Sequence, residues 1–160
     1  MYSRFLAYCI ICCSITSCVD YPEYPPEPQI EYKSAYAYFS EDELGNPEKN
    51  VLLTFMLHDG DGDIGHGQAQ TDENDFFCTF YVKHKGTFTE LSTFTPDTNN
   101  YMLPQIRNTD DTKFIKAEVS VDMAHSESTL PYDTIFCTFY VQDRALNKSN
   151  TDTTDILIFR

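Results

Sequence analysis

Apolar and polar residues alternate with a period of two along most of this chain, and no stretch holds the 3.6-residue period of an amphipathic helix. Residues 30–39 are aromatic and alternating. Residues 51–57 read Val-Leu-Leu-Thr-Phe-Met-Leu, the nearly unbroken apolar run of a buried central strand. Residues 75–84 alternate strongly, and Lys85-Gly86 turns them into 87–92. Residues 113–123 set Ile115, Ala117, Val119 and Val121 against Phe114, Lys116 and Glu118, one face in and one face out. Residues 134–142 and 154–159 complete the set. The connections are polar: 41–50 with Gly45, Asn46 and Pro47 as turn residues, 95–111 as loop with a short edge strand, and 124–132. About seven strands with these turn signals predict an all-β, antiparallel two-sheet sandwich of immunoglobulin or fibronectin type. An up-and-down barrel is the alternative.

One hexapeptide occurs twice, as Phe77-Cys78-Thr79-Phe80-Tyr81-Val82 and Phe136-Cys137-Thr138-Phe139-Tyr140-Val141. The flanks differ, so this is two strands under one constraint rather than a duplication. In the predicted sandwich they are strands C and F, neighbours in one sheet. Alternation puts Cys78, Phe80 and Val82 on one face of C, and Cys137, Phe139 and Val141 on the same face of F. The two cysteines are then buried thiols or a cross-strand disulfide, and the antiparallel register decides which.

Composition narrows the partners. The 160 residues suit one domain with short appendages, and 25 acidic residues against 11 basic ones argue against nucleic acid and against docking on anionic lipid. There is no Trp, but 12 Phe and 11 Tyr, often beside Thr, are strand composition.

The first residues read as a targeting segment. Arg4 precedes an apolar run at 5–15, too short to span a bilayer comfortably, and the run ends Ile15-Thr16-Ser17-Cys18. This resembles a bacterial lipoprotein signal; a plain secretory signal or short anchor is the alternative. The resemblance implies a diacylglyceryl group on the Cys18 thiol and cleavage before it. The expected organisation is a signal at 1–17, a lipid-anchored Pro-rich linker at 18–29 and the sandwich at 30–160. Cys9, Cys12 and Cys13 leave with the signal, so Cys78 and Cys137 alone remain in the fold, in an oxidising compartment. Four prolines between 19 and 28 make the linker an extended spacer. Asp20 and Glu23 behind the anchor resemble the acidic export window of Bacteroidota lipoproteins. That favours the outer membrane or cell surface over a periplasmic face.

The stretch that looks like a site is His58-Asp59-Gly60-Asp61-Gly62-Asp63-Ile64-Gly65-His66-Gly67. Three carboxylates at alternate positions repel one another unless a cation joins them, and calcium favours six to eight oxygens at flexible geometry. Asp59, Asp61 and Asp63 are the first candidates, with Asp75 among the oxygens downstream. If 51–57 is strand B and 75–83 strand C, this is the B–C loop. The F–G loop, Asp143 to Asn150, then shares its end of the sandwich, so Asp143 and Asn147 complete the expected ligand set. Arg144 offers a competing account, pairing with a carboxylate in place of a metal. A solvated Asp-Gly turn is a second alternative. Zinc held through His58 and His66 is a third, with His84 and His125 read as surface residues. An EF-hand is excluded, because the sixth position is Ile64 and the twelfth Gln70, with no flanking helices.

Catalytic motifs are missing from the sequence. There is no nucleophile elbow, no phosphate loop and no Cys-His spacing, so the expectation is a non-enzyme. The lipobox, the run Phe55 to Gly65 and the run Val141 to Asn150 together resemble a group of Bacteroidota lipoproteins with this acidic loop on an immunoglobulin-like sandwich. That resemblance implies an exported module and no activity. Expected functions are a calcium-stabilised surface binding or adhesion module, with its metal at the tip far from the anchor, or a glycan or small-ligand capture lipoprotein of an outer-membrane uptake system.

Overall fold

In a computed structural model of the chain, residues 24–66, 74–93, 99–106 and 114–160 are described. The expected signal, the anchor Cys18 and the first half of the linker lie outside them. Among the described residues nine strands run in the order β1 (Gln29–Glu41), β2 (Pro47–Asp59), β3 (Phe76–His84), β4 (Thr87–Glu90), β5 (Asn100–Tyr101), β6 (Ile115–Ser126), β7 (Thr134–Val141), β8 (Asp152–Thr153) and β9 (Leu157–Ile158). One sheet has the order β1-β2-β6 and the other β4-β3-β7-β8, with β5 on β3 and β9 on β7. All strand pairs are antiparallel. This is a β-sandwich with the expected strand assignments: β2 as B, β3 as C, and β7 beside β3 as F. The edge strand expected within 95–111 is β5, and the single last strand is instead two short ones.

The inner row of β2 explains why the sheets pack. Val51, Leu53, Phe55 and Leu57 are wholly buried. They face Phe76, Cys78, Phe80 and Val82 of β3 and Ile135, Cys137, Phe139 and Val141 of β7 in one apolar core. Phe55 lies 5.8 Å from the Phe76 ring and 5.4 Å from the Phe139 ring. The outer row, Leu52, Thr54 and Met56, is only half-buried. Strands β1 and β2 reach further into the polar stretch at 41–50 than their composition suggests. The Asp42 carboxylate accepts the Leu44 and Asn46 amides, each at 2.8 Å, and so closes the hairpin within 42–46.

One open alternative is decided here, and one expectation is corrected. Cys78 and Cys137 are both buried and face inward, yet no disulfide joins them. The register sets Cys78 opposite Phe139 and Cys137 opposite Phe80. They are therefore diagonal neighbours, a spacing of about 7–8 Å that exceeds the reach of a disulfide. His125 is not a surface residue: it is buried on the inner face of β6, edge-on to Phe80 at 5.0 Å.

The ends of the sandwich matter for function. Gln29, at the start of β1, pairs with His58, at the end of β2. The segment before β1 thus enters at the end where the acidic loop leaves. Asn150 seals the neighbouring edge: its side chain accepts the Ile30 amide and donates to the Ile30 carbonyl, both at 2.9 Å.

Candidate metal centre

The acidic loop begins as a continuation of the core. Asp59 is the next inward residue of β2 after Leu57, and it is 0% exposed. Ile64 is also 0% exposed, so it plugs the loop into the apolar interior. Asp61 and Asp63 lie between these two fixed points. The Asp63 amide donates to Asp59 Oδ2 at 2.9 Å, which draws the chain into a tight turn. The glycines allow close backbone approach. A side chain on Gly60 would collide with the Tyr24 and Pro25 carbonyls, and the Gly60 amide donates to the Pro25 carbonyl at 3.1 Å. Gly65, at φ +82°, passes against the Pro104 backbone with no room for a Cβ.

The F–G turn arrives from the other sheet. Asp143 is 2% exposed. Its carboxylate accepts the Asn147 amide at 2.7 Å and the Asn147 Nδ2 at 2.8 Å. Leu146 takes a left-handed φ of 69° to close this turn. The Arg144 amide donates to the Asp63 carbonyl at 3.4 Å and the Ala145 amide to Asp63 Oδ2 at 3.2 Å, so the two loops are stitched together.

The result is one cluster. Asp59, Asp61, Asp63 and Asp143 each present a carboxylate oxygen, and these oxygens all lie within 4.8 Å of one another. Asp59 and Asp143 form the buried floor, Asp63 is half-buried and Asp61 is exposed at the mouth. Asp59 Oδ1 and Asp63 Oδ1 are buried with no hydrogen-bond partner. Burial, then the charges of Asp61 and Asp63, push the Asp59 carboxyl up to about 7. Burial, then the Asp143 and Asp61 charges, push Asp63 up to about 6. Arg144 offsets only part of this on Asp63, so the cluster is left short of positive charge and could hold a metal ion such as calcium.

Four of the five expected carboxylate ligands therefore meet, and Asp75 does not join them. Asp75 is buried elsewhere: its Oδ1 lies 2.7 Å from His66 Nδ1, and its Oδ2 accepts the Leu103 amide at 3.2 Å. Asn147 grips Asp143 with its amide groups and so positions a ligand. The competing cation does not fill the site either, since Arg144 Nη1 turns to the Gly65 carbonyl at 3.4 Å. The histidines flanking the loop diverge from it. His58 stacks on Tyr24 at 4.9 Å, on the outer side of β2, while His66 pairs with Asp75.

Sequence reasoning missed three parts of this construction: the Ile64 plug, the His66–Asp75 pair, and the strap of Tyr24 and Pro25 over Gly60. A lone Ile among five charged or glycine neighbours at 60–65 was a usable signal for the plug. Nothing local marked the strap. The acidic loop adjoins Tyr24 and Pro25, the first described residues, which enter at the same end of the sandwich. No family model, curated protein or solved structure matches the chain, so its likeness to the lipoprotein group rests on the quoted motifs alone.

Proposed function

We propose that this protein is an exported, lipid-anchored, non-catalytic binding module whose B–C and F–G loops are ordered by calcium. One observation carries the metal reading. Asp59 is fully buried, with an oxygen that has no hydrogen-bond partner, and it points into a cluster of three further carboxylates. A buried polar oxygen without a partner costs about 1–3 kcal/mol, and more when charged, so a cation that joins all four carboxylates removes that cost. Calcium suits an all-oxygen donor set with one open side, whereas zinc favours nitrogen and sulfur, and both flanking histidines are engaged elsewhere. The anchor reading rests on Cys18 and its lipobox.

The position of the site favours ligand capture over long-reach adhesion. Five residues separate Cys18 from Tyr24, and Tyr24 and Pro25 already touch the acidic loop. A lipid-anchored chain would hold this end close to the membrane, where an uptake system takes its cargo.

The test is thermal unfolding with calcium and with a chelator. A site filled at about 100 times its dissociation constant adds about 2.7 kcal/mol, which for a domain of this size is on the order of 10 °C in Tm. Asp61→Ala, an exposed change at the mouth, should abolish the rise; a wild type that melts identically in both buffers refutes the metal. Cys18→Ala should move the protein from the membrane to the soluble fraction, and continued membrane retention refutes the anchor.

A further inference from the structure

We propose that the cation end binds a neutral sugar, with one ring seated beside Asp143 and two of its vicinal hydroxyls completing the coordination of the metal. This rests on the calcium reading above. A cavity of about 210 Å³ opens between the loops, lined by His66, Asn74, Phe77, Gln142, Asp143 and Leu146. Asp143 belongs both to this cavity and to the carboxylate cluster, which sets the cavity beside the candidate ion. The volume lies below the roughly 300–1,000 Å³ of pockets for drug-sized molecules, which suits one ring with the rest of a chain in solvent.

The walls match that chemistry. Phe77 stacks on Tyr140 with centroids 4.8 Å apart and an interplanar angle of 8°, which fixes the ring that lines the cavity. Lys148 Nζ lies 5.0 Å from the Tyr140 ring and steadies the same pair. A sugar offers an apolar C–H face to such a ring and hydroxyls to its other side. Asn74 is exposed at the rim, and Gln142 is held in place by donating Nε2 to the Leu146 carbonyl at 3.1 Å. The amide oxygens and nitrogens here serve hydroxyl groups, which both donate and accept.

Charge decides between neutral and anionic ligands. Four carboxylates around one divalent ion leave a net charge of about −2 at the site, on a chain of net charge −14. Phosphate, carboxylate or anionic-lipid headgroups would be repelled, whereas neutral hydroxyls replace calcium-bound water at no electrostatic cost. The outer sheet face is a poorer sugar platform. Away from the cavity, its aromatic pair Tyr81–Phe136 lies face to face at 4.8 Å, and Phe88 covers Phe136 edge-on at 5.0 Å.

The experiment is binding of the purified full-length protein to an array of neutral and sialylated glycans, in calcium and in chelator. The expected result is binding to neutral glycans with free vicinal hydroxyls in calcium only. Phe77→Ala and Asn74→Ala should each weaken it by about tenfold while keeping the calcium-induced rise in Tm. Binding that survives chelation, binding confined to sialylated glycans, or no binding by a protein that still melts higher in calcium overturns the sugar inference and leaves the metal standing. Loss of the thermal shift itself, in the wild type, overturns both. Asn74 is an exposed rim residue, so its variant keeps the test decisive if Phe77→Ala does not fold.

Discussion

Strand β2 carries a charged residue at each end of its inward row, and the two ends treat that charge in opposite ways. Lys49 begins the row and is 5% exposed; Asp59 ends it and is 0% exposed. Between them stand Val51, Leu53, Phe55 and Leu57, all within the core. At the first end the chain completes its own electrostatics. Lys49 Nζ donates to Asp133 Oδ1 at 2.6 Å and to the Tyr132 carbonyl at 3.0 Å, and it lies 5.3 Å from the Phe159 ring centroid. At the other end the chain adds Asp61, Asp63 and Asp143 to Asp59, and the adjacent Arg144 turns its guanidinium to a carbonyl. One end is self-sufficient. The other gathers four carboxylates around one point, and that difference is what singles it out as a candidate metal site.

The largest test of this contrast is the pH profile of the metal-free protein. Asp59 and Asp63 have folded-state values raised to about 7 and about 6, above the unfolded value near 3.8. A raised carboxyl makes the fold most stable below the unfolded value, and that stability is lost as pH rises through the folded one. In chelator, stability should therefore fall between about pH 4 and pH 7, by about 4 kcal/mol, and calcium should flatten the slope. Chemical denaturation at stepped pH reads this directly. An equally steep fall with calcium present would mean that the cluster is not its cause.

Next in size is Asp59→Asn, which removes one buried negative charge with little change of shape. At pH 8 in chelator it should stabilise the fold by about 3 kcal/mol, and it should lose the response to calcium. Destabilisation in chelator would show that the carboxylate finds a partner within the fold. At the self-sufficient end the sign reverses. Asp133→Ala leaves the buried Lys49 ammonium with one carbonyl and a ring, which should cost about 2 kcal/mol. That cost should be the same with and without calcium; a calcium-dependent cost would couple the two ends. The smallest effect is expected of a reductant. With Cys78 and Cys137 set diagonally, dithiothreitol should leave Tm unchanged, and a drop of several degrees would reveal a bond.

Much of this was legible in the residues. Alternation located the long strands, because a half-buried sheet writes its two faces at period two. The repeated hexapeptide announced β3 and β7 as equivalent partners, and their inward rows are as expected. The loops were harder. Asp75 has the same side chain as Asp63 and lies in an equally polar stretch, yet it turns to His66 and Leu103, because a one-residue change of direction in a loop leaves no mark in composition. Asn147 was found as a member of the site, but its grip on Asp143 was not, since that depends on a left-handed turn at Leu146.

The sequence by itself determined the fold class, the apolar run at 51–57, and the three alternating carboxylates of the B–C loop. These are local properties, written in neighbouring residues. Only the tertiary structure decided that Asp143 comes within 4.8 Å of that loop from about eighty residues away, that Asp75 does not join it, and that the site adjoins the N-terminal segment. Those outcomes depend on strand register and sheet order, which are fixed by core packing over the whole domain and not by any one stretch of chain.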